Sequence, residues 1–142
     1  MSDAANVPAG FERHDRRSPV TEPWEPLWRR LQDDVMVLGV RAAQAHCNSR
    51  GFVHGGVISA LSDIAMGMNG SRRLGGVSML VTVNLSVDFL HSAQIGQWLE
   101  FETVFVKTGG TLCFTQAFMN ADGHPCARAN AVFRVGRKAV AA

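Results

Sequence analysis

The chain has 142 residues, of which 46% are hydrophobic and 18% charged, and a formal net charge of +2. That length suits one domain with a single core. So small a charge, with arginines in pairs (Arg16-Arg17, Arg29-Arg30, Arg72-Arg73) and not in a stripe, argues against nucleic acid as a partner. The low charged fraction implies that other subunits cover part of the apolar surface.

Residues 1–22 mix Pro, Gly and charge without period and read as a loose arm. They lack the apolar core of a signal peptide, and no run in the chain is long enough to span a membrane, so a cytoplasmic protein with no membrane contact is expected. Pro23–Leu31, with Trp24, Leu27 and Trp28, predicts a short helix laid over the domain. An arm of residues 1–28 is thus set apart from a domain over 29–142. The β-branched stretch Val35–Ala45 predicts a first strand, followed by an ordered loop through Cys47 and Asn48 to Phe52.

From His54 to Gly70 the sequence HGGVISALSDIAMGMNG carries one formally charged side chain, Asp63. A window so apolar predicts a helix buried all round. At 100° per residue its spine is Val57, Leu61, Ile64 and Met68, and Asp63 falls away from it, near the small residues Ser59 and Gly67. A carboxylate in such surroundings needs a partner or a purpose. The plain alternative is contact with helix ends or a buried Arg; the functional reading is preferred.

After the turn signals at Gly70 and Gly75-Gly76 the period becomes two. Val81, Val83, Leu85, Val87 and Phe89 alternate with Thr82, Asn84, Ser86 and Asp88, which predicts a strand with one polar face. Further strands are expected over Gln97–Lys107, Thr111–Met119 and Pro125–Val135, joined at Gly109-Gly110 and Asp122-Gly123. The predicted class is α+β: one strand, one long helix, then four strands in an antiparallel meander that curls round the helix.

Three cysteines, Cys47, Cys113 and Cys126, form no pairing framework, so a reducing compartment is expected. Neither C-x-x-C nor H-E-x-x-H occurs, and no metal or cofactor is expected. Chemistry converges instead on the helix start. Its first turn offers unpaired N–H groups and the positive end of the dipole, and Gly55-Gly56 lets a substrate oxygen approach, as in an oxyanion hole. Asn48 can add a side-chain donor. Asp63, eight residues beyond Gly55, is about 12 Å along the helix at 1.5 Å per residue. One reacting carbon cannot meet both ends in a single copy, so a site shared between two copies is expected.

The sequence Asn48-Ser49-Arg50-Gly51-Phe52-Val53-His54-Gly55-Gly56, with Leu61-Ser62-Asp63-Ile64-Ala65, resembles the hotdog-fold acyl-CoA thioesterases. It is most similar to the phenylacetyl-CoA thioesterase (PaaI-type) branch, and the likeness spans about residues 30–136, including VTVNLSVDFLHSAQIG and the Lys107-Thr108-Gly109-Gly110 turn. The resemblance implies a curved antiparallel sheet around one helix and hydrolysis of acyl-CoA to free acid and CoA. It casts Asp63 as general base or nucleophile. It gives the Gly55 N–H and Asn48 the thioester carbonyl, and Thr82 the attacking water. Asn48 and Gly55 would come from one subunit and Asp63 and Thr82 from another, in a homodimer often paired into a homotetramer. His54, Gly56, Lys107 and Gly110 complete the expected substrate-binding set. The segment His91–Gln97 lacks the Pro and acidic residue common in relatives.

His54 reads first as a residue that fixes the loop. Cys47 reads as a buried thiol and not a nucleophile. Arg72, Arg73, Lys107 and Arg134 are candidates for CoA phosphates, though solvation explains any one of them. Two other functions compete: a hotdog hydratase or dehydratase, which would want a His and an acid on one carbon, and a non-catalytic acyl-CoA binder, which would not need Asp63.

Overall fold

The computed structural model of the chain describes residues 6–76 and 79–136. Its elements are β1 (Glu12–Arg13), β2 (Trp28–Gln32), β3 (Val35–Arg41), α1 (Gly55–Arg73), β4 (Met79–Phe89), β5 (Trp98–Thr108), β6 (Leu112–Ala121) and β7 (His124–Gly136). The strands form one antiparallel sheet in the order β1-β2-β3-β5-β6-β7-β4, and α1 packs on it.

The N-terminal stretch differs from expectation. Where a helix over Pro23–Leu31 was predicted, a 3-10 turn occupies Pro19–Trp24 and β2 begins at Trp28. Asp33, at φ 54°, turns β2 back onto β3, a conformation that a short polar residue tolerates. The described part of the expected arm is thereby tied into the sheet. Phe11 stacks edge-on against Trp98 with ring centroids 5.0 Å apart, and Leu27 lies in the core. Gly39 is required beneath this contact, because a Cβ there would sit 2.5 Å from Trp98 and 2.7 Å from Phe11.

The meander also needs correction. β5, β6 and β7 are consecutive hairpins, but β4 pairs with β7 at the far edge and β3 with β5. Alternation announces a strand without naming its neighbour. The link from β4 to β5 carries the crossing. Leu90 N–H donates to Cys126 O (2.8 Å), Ala93 O accepts from Val53 N–H (2.8 Å), and Gly96 N–H donates to Ala42 O (2.8 Å).

Along α1 the buried face is Val57, Ile58, Leu61, Ser62, Ala65, Met66, Asn69 and Gly70. Ile64 and Met68, expected on the spine, lie with Asp63 on a face that one copy covers only halfway, so the helix is not buried all round. Alanines at 117, 129 and 131 on the inner faces of β6 and β7 are buried beneath it. Gly70 does not end the helix. It is the point of closest approach, where a Cβ would meet Leu80 Cδ1 at 2.9 Å and Cys113 Sγ at 3.0 Å. One residue earlier, Asn69 fills a gap in the ladder: β3 pairs with β5 only from Leu38 onward. Its Oδ1 accepts from Met36 N–H (2.8 Å), while Nδ2 donates to Met36 O (3.0 Å), Ala65 O (3.0 Å) and Thr103 Oγ1 (2.9 Å).

Candidate active site

Two clusters of the expected residues form at different points of α1. The first is at its start. An isolated bridge between Cys47 and Val53 closes the preceding loop, placing Asn48 just inside it and Gly55 two residues beyond. Asn48 Oδ1 accepts from the N–H groups of Arg50 (2.9 Å) and Phe52 (3.2 Å), which fixes the amide and leaves Nδ2 as the end free to donate. His54 is the N-cap residue, its Nδ1 accepting from Gly56 N–H at 2.8 Å. Its carbonyl takes the N–H groups of Val57 (3.0 Å) and Ile58 (3.1 Å). Of the first four N–H donors, only that of Gly55 has no hydrogen-bond partner among the described residues. Gly55 packs on the Phe89 ring, which a Cβ would approach to 3.0 Å.

The second cluster lies two turns along. Thr82 Oγ1 donates to Asp63 Oδ1 at 2.7 Å, and no cation is within ion-pair distance of Asp63 among the described residues. The strict alternation of β4 predicted Thr82 on a face opposite its apolar residues. A bulge at Val83 overturns this, the register passing from Thr82↔Phe133 to Asn84↔Val132. Leu80 and Thr82 thereby share the inner face with Leu85 and Val87. Val81 and Val83 instead face solvent, 59% and 61% exposed.

Asp63 and Thr82 line a cavity of about 390 Å³. Its apolar wall includes Leu27, Ile64, Met68, Leu80 and Phe133, with Gly67 packed on the Phe133 ring. Asn48, His54, Gly55 and Gly56 do not line it. Nor do Lys107 and Gly110, which sit exposed near the tip of the β5–β6 hairpin, or Arg72, Arg73 and Arg134. The structure thus separates the expected set into two halves about 12 Å apart along α1 and sets Lys107 and Gly110 apart from both.

The remaining wall comes from a stretch where periodicity gave no signal: His14, Arg16, Ser18 and Thr21, ahead of β2. The Trp24–Trp28 apolar cluster was the available hint that this segment packs against the domain. His46, also buried, ties it down. Its Nδ1 accepts from Ala43 N–H (2.9 Å) and its other nitrogen pairs with Trp24 O (3.2 Å). Burial pushes the pKa of both His14 and His46 below the usual 6.5. All three cysteines are free, and burial raises each thiol, which disfavours a thiolate at Cys47. Among the described residues no three His, Cys, Asp or Glu side chains gather to hold a metal ion, and no helix is long and apolar enough to cross a membrane.

Residues 50–127 match the family described as the thioesterase superfamily. The chain is 33% identical over 131 residues to "Putative esterase PA0474" of Pseudomonas aeruginosa, covering 92% of this chain and 98% of that one. A phenylacetic acid degradation-related protein from Ralstonia eutropha JMP134 superposes with a TM-score of 0.74 at 25% identity, over 85% of this chain and 93% of that one. A hypothetical thioesterase protein from Streptococcus pneumoniae TIGR4, solved with coenzyme A, gives 0.71 at 20% identity over 82% and 94%, a likeness of fold.

Proposed function

Because the chain belongs to the thioesterase superfamily and carries its hotdog fold, we propose that it hydrolyses an acyl-CoA thioester at a site shared by two copies. The observation that carries this reading is the Asp63–Thr82 pair, 2.7 Å apart on the wall of a largely apolar cavity, with no cation within ion-pair distance of Asp63 among the described residues. A carboxylate so placed serves as a base or nucleophile and is not tied up in an ion pair. In the water route, Asp63 takes a proton from water as its oxygen bonds the thioester carbon. The oxyanion that forms is held by the Gly55 N–H with Asn48 Nδ2. The C–S bond then breaks, and the proton on Asp63 passes to the departing thiolate. In the nucleophilic route Asp63 itself bonds the carbon and the C–S bond breaks to release the CoA thiolate. Water then opens the mixed anhydride, which frees the acid, regenerates the Asp63 carboxylate and gives up a proton to the thiolate. The CoA ligand of the Streptococcus neighbour supports a CoA ester as substrate.

The second copy is required by distance, since Gly55 and Asp63 lie about 12 Å apart on one rigid helix. The edge strand β4 suits it. Its outer backbone edge has no strand beside it among the described residues, and Met79, Val81 and Val83 are 58%, 59% and 61% exposed. An apolar edge of this kind is normally covered. The test is thiol release from acyl-CoA esters running from acetyl through phenylacetyl to palmitoyl, with wild type beside Asp63→Asn. The reading expects a loss of at least about a hundredfold in the variant. Equal rates in two folded proteins would remove Asp63 from the mechanism.

A further inference from the structure

His14 stands outside the catalytic pair and outside residues 50–127, which match the family, yet it lines the same cavity as Asp63 and Thr82. Its backbone N–H is fixed to Leu27 O at 2.9 Å, and the residue is only 6% exposed. Nδ1 is closed off without a hydrogen-bond partner, and the other ring nitrogen, which no described residue bonds, is the one left to meet a ligand. The contrast with His46, whose two nitrogens are both taken, is direct. So is the contrast with Thr21 on the same wall, whose hydroxyl donates to Ser18 O at 3.1 Å. A buried imidazole with neither nitrogen paired within the described chain is uncommon in a folded protein. Burial holds the imidazole toward its neutral form. A neutral imidazole can donate to or accept from an uncharged oxygen. Around it, Leu27, Ile64, Met68 and Phe133 accommodate hydrocarbon.

We propose that His14 is a specificity-determining residue that hydrogen-bonds an uncharged polar substituent, such as a hydroxyl, on an otherwise hydrocarbon acyl group. The inference rests on the thioester-hydrolase reading and deepens it by naming the acyl class. A site built to pair a substrate hydroxyl rejects the analogue that lacks one, since its own polar group is then stranded.

The experiment compares kcat/KM for hexanoyl-CoA with its 3-hydroxy, 5-hydroxy and 6-hydroxy analogues in wild type, His14→Phe and His14→Gln. Wild type favours at least one hydroxylated ester by about tenfold or more, His14→Phe brings that ratio to near unity, and His14→Gln, which keeps an amide donor and acceptor, restores part of it. The ratio within one protein is unaffected by how much of a variant folds. A wild-type ratio near unity for every pair overturns the inference without any variant, and leaves the hydrolase reading standing. A preference that survives in His14→Phe also overturns it. If no acyl-CoA of any kind is hydrolysed, the hydrolase reading fails and this inference with it.

Discussion

Thr82 earns its place through one hydrogen bond, and Thr82→Val tests it while preserving side-chain shape. Losing a bond to a carboxylate of this kind is expected to lower kcat by roughly ten- to a hundredfold with little change in thermal midpoint; an unchanged kcat would make the contact incidental. The two buried histidines predict the acid response. Their lowered pKa values mean that the unfolded chain binds protons at a pH where the folded chain does not. Their contribution to stability is therefore complete above the usual 6.5 and is lost as pH falls below it toward the folded values. The urea midpoint is expected to be lower at about pH 5.5 than at about pH 7.5, and less so in His46→Gln; a midpoint that rises on acidification would contradict this assignment. Asp63 was legible in the sequence because one charge in an apolar window is conspicuous. His14 was not, because its role depends on a fold-back that no local period encodes.

At the scale of elements, the start of α1 can be probed without disturbing the helix. Gly55 is the first helical residue and His54 before it is extended (φ −68°, ψ 135°), a setting that accepts proline. Gly55→Pro removes the N–H and Gly55→Ala keeps it, while both place a Cβ against Phe89. The proline variant is expected to lose about a hundred- to a thousandfold in kcat beyond the alanine variant. Equal loss in the two would assign the effect to the clash and not to the donor. Asn69 carries a structural load instead. Asn69→Leu strands Met36 N–H and its carbonyl, and is expected to cost about 2–3 kcal/mol by urea unfolding; a loss under about 0.5 kcal/mol would show the gap to be hydrated. The existence of α1 and of β4–β7 could be read from periodicity. The phase of β4 could not, because a one-residue bulge at Val83 turns Thr82 inward and leaves Val81 and Val83 outside. Nor could the place of β4 in the sheet, which depends on hydrogen bonds made by the 90–97 link to distant segments.

Across the whole molecule, the half-covered face of α1, the exposed apolar edge of β4 and the 12 Å separation along the helix all call for a second copy. Val81→Asp with Val83→Asp sets like charges along that edge, and light scattering is expected to report monomers with little thiol release. A dimer persisting with full activity would place the interface elsewhere. Within the stretch expected to be an arm, Glu12–Arg13 add a strand to the sheet and His14, Arg16, Ser18, Thr21 and Leu27 close the cavity. Sharing of the site is tested most directly by complementation between Asp63→Asn and Gly55→Pro. Each variant alone is inactive, yet a mixed dimer joins an intact Gly55 from one copy to an intact Asp63 from the other. Random assembly gives half mixed dimers with one working site of two, so co-expression should recover about a quarter of wild-type thiol release. Recovery no greater than the mean of the two variants, in a preparation shown to contain mixed dimers, would contradict a shared site.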